Sequence, residues 1–501
     1  MPPALARAVI GDRAAPPSKA SGAGGRLAIG APDATRLMVL AFALCAFVAA
    51  AFCPQMLWDA DTLWHIMTGD WMLAHRQVVA ADPFSYSMPG HPWVDLEWLS
   101  EVLMAPIYGL GGWSGVDLVF GLAIGVLTWI LTSELARKLP PFSCAAAIFM
   151  ALACTTQSWL ARPHLIALPI LALWTVQLLR AREAARAPPL WLWPVMVVWA
   201  NLHGSFLFGL ALTGPFALEA LLDAQPEGRL EVVRGWGLFG AGALVASLIT
   251  PHGLDGLIYP IRLVTMSTLP DVSEWQSENF TRFTPFEMSL LATLFILLYR
   301  GVKIPIVRLI TLLGLLHLTL HETRHQMVLA VAGTLLLADP IGKALTGETP
   351  VIRLPRLSAV ARYGILGAMA VVFAGAAAIR MAVPASLTNG PTAPIAAFAH
   401  VPEALRRQPV LNEYGFGGYL IFNHVPTFID GRQDMYGDAF VDGFVKAKAN
   451  APRLEALLAR YHVRWTILGA DDPAVQLMDQ FPGWKRLYAD KWAVVHVKTG
   501  A

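Results

Sequence analysis

The chain has 501 residues, of which 56% are hydrophobic and only 14% charged, against about 25% charged in a soluble globular protein. Its mean hydropathy is +0.53, and the apolar residues gather in blocks near the ~20 residues that a transmembrane helix needs. These values exclude an ordinary soluble domain. The short alternating segments of a membrane β-barrel are missing, and a net charge of +2 gives no basis for nucleic-acid binding.

In chain order, residues 1–36 are rich in Ala, Gly, Pro and Arg and read as a disordered cytoplasmic tail. The first apolar block follows and reads as a retained anchor. Spans are expected at 37–53, 113–136, 141–159, 164–180, 190–202, 205–222, 235–250, 286–299, 304–320, 326–341 and 362–382, about eleven in all. Residues 98–110 are also apolar and are expected as a separate surface or re-entrant helix. With the N-terminus inside, nineteen Lys and Arg flank the cytoplasmic ends. Six (Arg76, Arg162, Arg262, Arg282, Arg324, Arg380) lie in the outer loops. The positive-inside rule then places everything after residue 383 outside. The four cysteines lie in or beside apolar blocks and read as small packing residues.

Residues 384–501 change character. A Pro/Ala/Thr linker (384–398) is followed by strand-like runs at 409–412, 427–430, 464–468 and 492–497, with helical stretches at 452–460 and 474–480 between them. This alternation predicts a small soluble α/β domain. The expected architecture is a polytopic α-helical membrane protein with a first outer loop at 54–97 and this domain at its C-terminus.

The polar motifs concentrate on the predicted outer side. The first loop carries Asp59, Asp61, His65, Asp70, Asp82, Asp95 and Glu97. Later loops carry Arg162 and His164, then Asn201 and His203, then His252, Asp271, Glu274, Trp275, Gln276 and Glu278, and lastly Glu322, Arg324 and His325. Ionisable groups near a membrane face usually line a cavity. One composite site is therefore expected, with independent solvated loops as the alternative. Asp59 and Asp61 are close enough for one carboxyl to serve as a base at neutral pH. They can also ligate a divalent cation such as Mg or Mn through oxygen, or cap a helix. Arg162 and Arg324 suit bidentate phosphate contact. Trp64, Trp93 and Trp275 can stack on a sugar or anchor at the interface. Asp430 and Arg432 read either as acceptor contacts or as a turn with an internal ion pair.

The run Asp59-Ala60-Asp61-Thr62-Leu63-Trp64-His65 after a first span resembles the large-loop signature of the GT-C glycosyltransferase superfamily. Within it, the resemblance is to bacterial polytopic proteins with a PMT-like or RgtA/B/C/D-like region. It extends through Asp82-Pro83-Phe84-Ser85-Tyr86, Glu97-Trp98-Leu99, Arg162-Pro163-His164, Asn201-Leu202-His203-Gly204, Thr250-Pro251-His252-Gly253 and Glu274-Trp275-Gln276-Ser277. In the tail, Asn412-Glu413-Tyr414-Gly415-Phe416-Gly417-Gly418-Tyr419 and Asp430-Gly431-Arg432 match it too. The resemblance implies an inverting transfer of sugar from a polyprenyl-phosphate donor, held among membrane lipids, to an envelope glycan, lipid or protein at the periplasmic face of a bacterial inner membrane.

Carried over, the general base is Asp59 or Asp61, with Asp59 favoured. Donor phosphate falls to Arg162, His164, His203, His252, Arg324 and His325. Substrate contacts fall to Trp64, His65, Glu97, Glu274, Trp275, Gln276, Asp430 and Arg432. Two readings of other classes remain: a non-catalytic assembly protein on the same scaffold, and a transporter of lipid-linked solutes. A transporter predicts internal repeats and mid-membrane charges, and neither is evident.

Overall fold

The computed structural model describes residues 33–269, 273–347 and 357–499. Most of the basic N-terminal tail, Asp271, Arg353 and Arg356 lie outside them. Helix α1 (Ala34–Ala51) starts where the Asp33 side chain accepts from the Arg36 amide, a side-chain cap for a helix start. A short loop leads to α2 (Asp61–His75). The remaining helices of the bundle are α3 (Trp98–Leu135), α4 (Pro141–Thr155), α5 (Pro163–Glu183), α6 (Leu192–Leu202), α7 (Phe206–Asp223), α8 (Arg229–Ser247), α9 (Leu254–Leu263), α10 (Pro285–Tyr299) and α11 (Ile306–His321). Helical stretches at Thr323–Thr346 and Ala359–Ala382 follow.

Among the described residues, seven helices are long and apolar enough to cross a membrane: α1, α3, α5, α7, the α4 stretch Pro141–Ser158, Thr323–Thr346 and Ala359–Ala382. Three more expected spans coincide with apolar but shorter helices, α6, α10 and α11. The last coincides with α8, whose first turns carry Arg229, Glu231 and Arg234.

The separate helix expected at 98–110 is the first part of α3. Its axis breaks at Gly112 (φ 55°, ψ −151°), a backbone region open to glycine because it has no Cβ. This first part packs on α2 so closely that a Cβ on Gly69 would collide with the Glu101 carbonyl.

The tail holds a four-stranded sheet in the order β1-β2-β4-β3, with β1 (Val410–Asn412), β2 (Trp465–Gly469), β3 (Trp484–Ala489) and β4 (Ala493–Lys498). Strands β1 and β2 run parallel, with Leu411 opposite Thr466; β4 is antiparallel to both β2 and β3. The run at 427–430 is not a strand. It forms a single bridge, Ser85 with Thr427, and threads the core with Thr427, Phe428, Ile429 and Asp430 all buried. Nor is 384–398 wholly a linker, since Ile395–Ala399 is a helix whose Ala397 and Phe398 are buried among the tail's apolar residues.

The first loop and the tail share their cores. Trp64, Met72, Val79 and Trp93 pack with Leu411, Phe428, Ile429 and Met435, and Leu63 packs with Val410, Leu420 and Trp465. The loop is too short to bury these apolar groups alone, and the tail supplies the other half.

Candidate active site

Asp61 opens α2, with Ala60 before it providing no side-chain cap. The Asp61 carboxylate does not turn back to cap the helix. Oδ1 accepts from Trp64 Nε1 at 2.9 Å, and Oδ2 lies 2.8 Å from Arg162. Arg162 directly precedes Pro163 at the start of α5 and is extended (φ −120°, ψ 156°), as a residue before proline prefers. Its guanidinium meets three carboxylates: Asp61, Glu274 at 2.9 Å and Asp59 at 3.4 Å.

Glu274 comes from a short turn (Ser273–Trp275) tied to the start of the Thr323–Thr346 stretch. The Thr323 amide donates to the Gln276 carbonyl at 3.0 Å, and the Thr323 hydroxyl donates to the Glu274 carbonyl at 3.1 Å. Arg324 thereby lies 3.8 Å from Glu274 and 4.0 Å above the Trp275 ring. Stacking and ion pairing together fix its planar head.

A second set centres on Glu97. His65 Nδ1 is 2.7 Å from the fully buried Glu101, and its Nε2 is 3.5 Å from Glu97. His203 Nε2 is 3.2 Å from the other Glu97 oxygen. The Ser205 amide donates to His203 Nδ1 at 3.1 Å, so the neutral ring carries its proton on Nε2, the nitrogen that faces Glu97. His164 donates to the Ser158 carbonyl at 2.9 Å, and its ring centre lies 6.3 Å from that of His203. Glu97 and Glu101 are four apart and share a helix face.

The electrostatics differ across this cluster. Burial pushes the Asp59 carboxyl up to about 7, against the pull of Arg162 and with the push of Asp61 and Glu274. Burial likewise raises Glu97 to about 8. Burial also acts on Glu274, but Arg162 and Arg324 overcome it and hold Glu274 down at about 2. Burial, Arg162 and the neighbouring imidazoles keep His65 well below its usual range, and His203 is lowered by burial, His164 and Arg324. Both rings are neutral hydrogen-bonding groups near pH 7. The side chains of Asp59 and Asp61 keep 15% and 16% exposure, and the buried Asp59 Oδ2 meets Arg162 as a longer ion-pair contact at 3.4 Å rather than a hydrogen bond.

Of the residues expected in the site, Asp59, Asp61, Trp64, His65, Glu97, Arg162, His164, His203, Glu274, Trp275 and Arg324 therefore form one connected cluster. Gln276 joins through its backbone. His325 lies beside it, 3.4 Å from Glu322 and edge-on to Phe208. His252 braces the wall, with Nε2 2.8 Å from the Asp95 carbonyl.

Asp430 and Arg432 are elsewhere. Their side chains are 0% exposed and paired at 2.7 Å, with Asp82 also 2.7 Å from Arg432 and the Tyr436 hydroxyl donating to Asp430. This is the internal ion pair, and both side chains are consumed by it. Glu101 was not anticipated. Its signal is the spacing of four from Glu97 at the opening of an apolar helix.

Among the described residues, no three His, Cys, Asp or Glu side chains converge as a metal site. The Arg162 guanidinium sits between Asp59, Asp61 and Glu274, where a bridging cation would have to bind. The donor set therefore does not fit a metal, and no step is assigned to one.

No family model matches the chain, and neither does any curated protein sequence. Among solved structures, the chain is similar to the archaeal oligosaccharyltransferase AglB from Archaeoglobus fulgidus in complex with an inhibitory peptide and a dolichol-phosphate. The TM-score is 0.56 at 9% identity, over 93% of this chain and 74% of that one. It also aligns with ArnT from Cupriavidus metallidurans bound to undecaprenyl phosphate, with TM-score 0.49 and 14% identity over 93% and 98% of the two chains. The first likeness shows the fold: this chain shares the fold of AglB.

Proposed function

We propose that the chain is a membrane glycosyltransferase that moves a sugar from a polyprenyl-phosphate donor to an envelope glycan, lipid or protein, with inversion and with Asp59 as general base. The observation that carries this reading is the contrast between two neighbouring aspartates. Asp61 has both oxygens engaged, by Trp64 and Arg162. Asp59 has a partly exposed carboxyl raised to about 7 and touches Arg162 only through its buried Oδ2, at 3.4 Å. A base works best when its affinity for protons lies near the working pH. The GT-C fold and the dolichol-phosphate in the AglB complex favour a lipid-phosphate donor.

The chemistry follows from the charges. Asp59 takes the proton of an acceptor hydroxyl. That oxygen forms a bond to the anomeric carbon from the face opposite the phosphate. The anomeric carbon–oxygen bond to phosphate breaks, and its electron pair leaves with the polyprenyl phosphate. The growing negative charge meets Arg324, held flat on Trp275. Preorganised donors of this kind are a large term in catalysis. Arg162 is already shared by three carboxylates and acts chiefly to orient Asp59 and Asp61. In this reading the cluster faces the periplasm from a bacterial inner membrane, the N-terminus is cytoplasmic, and residues 384–501 form a periplasmic domain.

The test is sugar release by the purified chain in nanodiscs from a panel of radiolabelled polyprenyl-phosphate sugars, with membrane extract as acceptor source. Transfer from at least one donor is expected. Absence of transfer from every donor would overturn the reading and favour the non-catalytic scaffold.

A further inference from the structure

The turn Asp59-Ala60-Asp61 has the tail against it, and two tail glycines make the contact. A Cβ on Gly431 would fall on Asp61 Oδ1, and would stand 3.0 Å from Trp64 Nε1, the donor that holds that oxygen. A Cβ on Gly418 would fall on the Ala60 carbonyl oxygen. Real Cβ atoms do not approach other atoms so closely: at Gly418 the Ala60 backbone would have to move, and at Gly431 the Asp61 carboxylate would have to leave its place between Trp64 and Arg162, which anchors the turn. Neither glycine has the positive φ that marks a backbone requirement. Their role is close approach. Gly431 is itself fixed from behind: the Tyr414 hydroxyl donates to its carbonyl at 3.1 Å. The Asp430–Arg432 pair on either side of it is fully buried.

The same tail segment also grips α9 and the turn that follows it. The Tyr259 hydroxyl donates to Asp434 at 2.8 Å, and Gln433 donates to the Thr268 hydroxyl at 2.6 Å. Asp438 accepts from the amides and hydroxyls of Ser267 and Thr268, at 2.7 to 3.2 Å.

We infer that Gly418, Gly431 and Tyr414 are positioning residues that set the Asp59-Ala60-Asp61 turn, so that the C-terminal domain is a built-in part of the catalytic centre. The inference rests on the proposed transferase reading for its consequence in turnover, and on geometry alone for the docking. A separable acceptor-binding module would present side chains to solvent at this junction. Here it presents bare glycine backbone to the acidic turn.

The experiment compares Gly431→Ala and Tyr414→Phe with Gly443→Ala. The last adds a Cβ that meets nothing within 4 Å. The full chain in nanodiscs is read by amide hydrogen exchange over residues 57–66, by donor affinity, and by kcat and KM. Gly431→Ala is expected to speed exchange in that window and to lower kcat about a hundredfold, because misplacing a reacting group by about 1 Å costs that much. Donor affinity is expected to hold. Tyr414→Phe, which removes only a hydroxyl, is expected to lower kcat about fivefold, and Gly443→Ala to change neither readout. Unchanged exchange in Gly431→Ala overturns the docking itself, whether or not any donor is turned over. Faster exchange with unchanged kcat overturns the positioning role. A loss confined to KM overturns it too, since it would make the tail a substrate contact.

Discussion

Arg162 and Arg432 each hold carboxylates of the first loop from a distant part of the chain, and their surroundings differ in a way that separates chemistry from architecture. Arg432 is 0% exposed, is paired with Asp430 and Asp82 at 2.7 Å, and lies 4.9 Å over the Trp93 ring. Burial opposes ionisation of Asp430, but Arg432 wins and keeps its carboxyl below the usual range. The two carboxylates share the one guanidinium, and neutral donors complete them: the Phe84 amide for Asp82, and the Thr427 and Tyr436 hydroxyls for Asp430. Arg162 keeps 21% exposure and is shared by three carboxylates. The sharing is unequal: Glu274 is held down at about 2 while Asp59 is left up at about 7. A closed pair fixes the loop to the tail. An open, over-subscribed one leaves a group ready to take a proton.

The largest effect is expected at Asp59. Asp59→Asn keeps the shape and removes the base, and turnover is expected to fall about 10²–10⁴-fold with little change in thermal unfolding. The mirror case is Arg432→Met. It strands Asp430 and Asp82 as buried charges, and is expected to cost about 3–5 kcal/mol of stability, read as a fall in the unfolding temperature in nanodiscs. A stable Arg432→Met protein, or an unstable Asp59→Asn one, would exchange the roles assigned to the two clusters.

Acid should separate them next. Turnover requires ionised Asp59, so it is expected to fall about tenfold per pH unit below about 7. Stability behaves otherwise. The folded-state values of Asp430 and Glu274 lie below their unfolded ones. Their contribution is therefore full above the unfolded carboxylate value of about 4, and is lost as pH falls through the lowered folded values. Activity should disappear on acidification well before the fold does. Unfolding that tracks the loss of turnover would contradict this order. The mildest expected effect is that of Tyr414→Phe, which tunes the Asp59 turn without touching any charge.

Much of this was legible because membrane chains sort polar from apolar sequence so sharply. The blocks at 37–53 and 113–136 match helices α1 and the later part of α3, and the polar motifs between blocks converge as one cluster. What stayed hidden depends on contacts far apart in the chain. The run Thr427–Asp430 looks like a strand, since buried apolar residues read alike whether they pair or thread a core. Strand β3 (Trp484–Ala489) carries exposed Lys485, Arg486 and Leu487, a charged edge without strand-like alternation. Gly418 looks like a turn former, yet its small size serves the Ala60 carbonyl. Arg432 reads as a substrate contact or as part of an internal ion pair until Asp82, three hundred and fifty residues earlier, is seen beside it.

The most direct measurement is single-turnover transfer by wild type, Asp59→Asn and Asp61→Asn at saturating polyprenyl-phosphate sugar, with donor binding measured in parallel. Asp59→Asn is expected to bind donor normally and transfer almost nothing, with a residual rate that no longer responds to pH near 7. Asp61→Asn should retain a pH-dependent rate. Normal transfer by Asp59→Asn would contradict the assignment of the base and, with it, the distinction between the open and the closed arginine cluster.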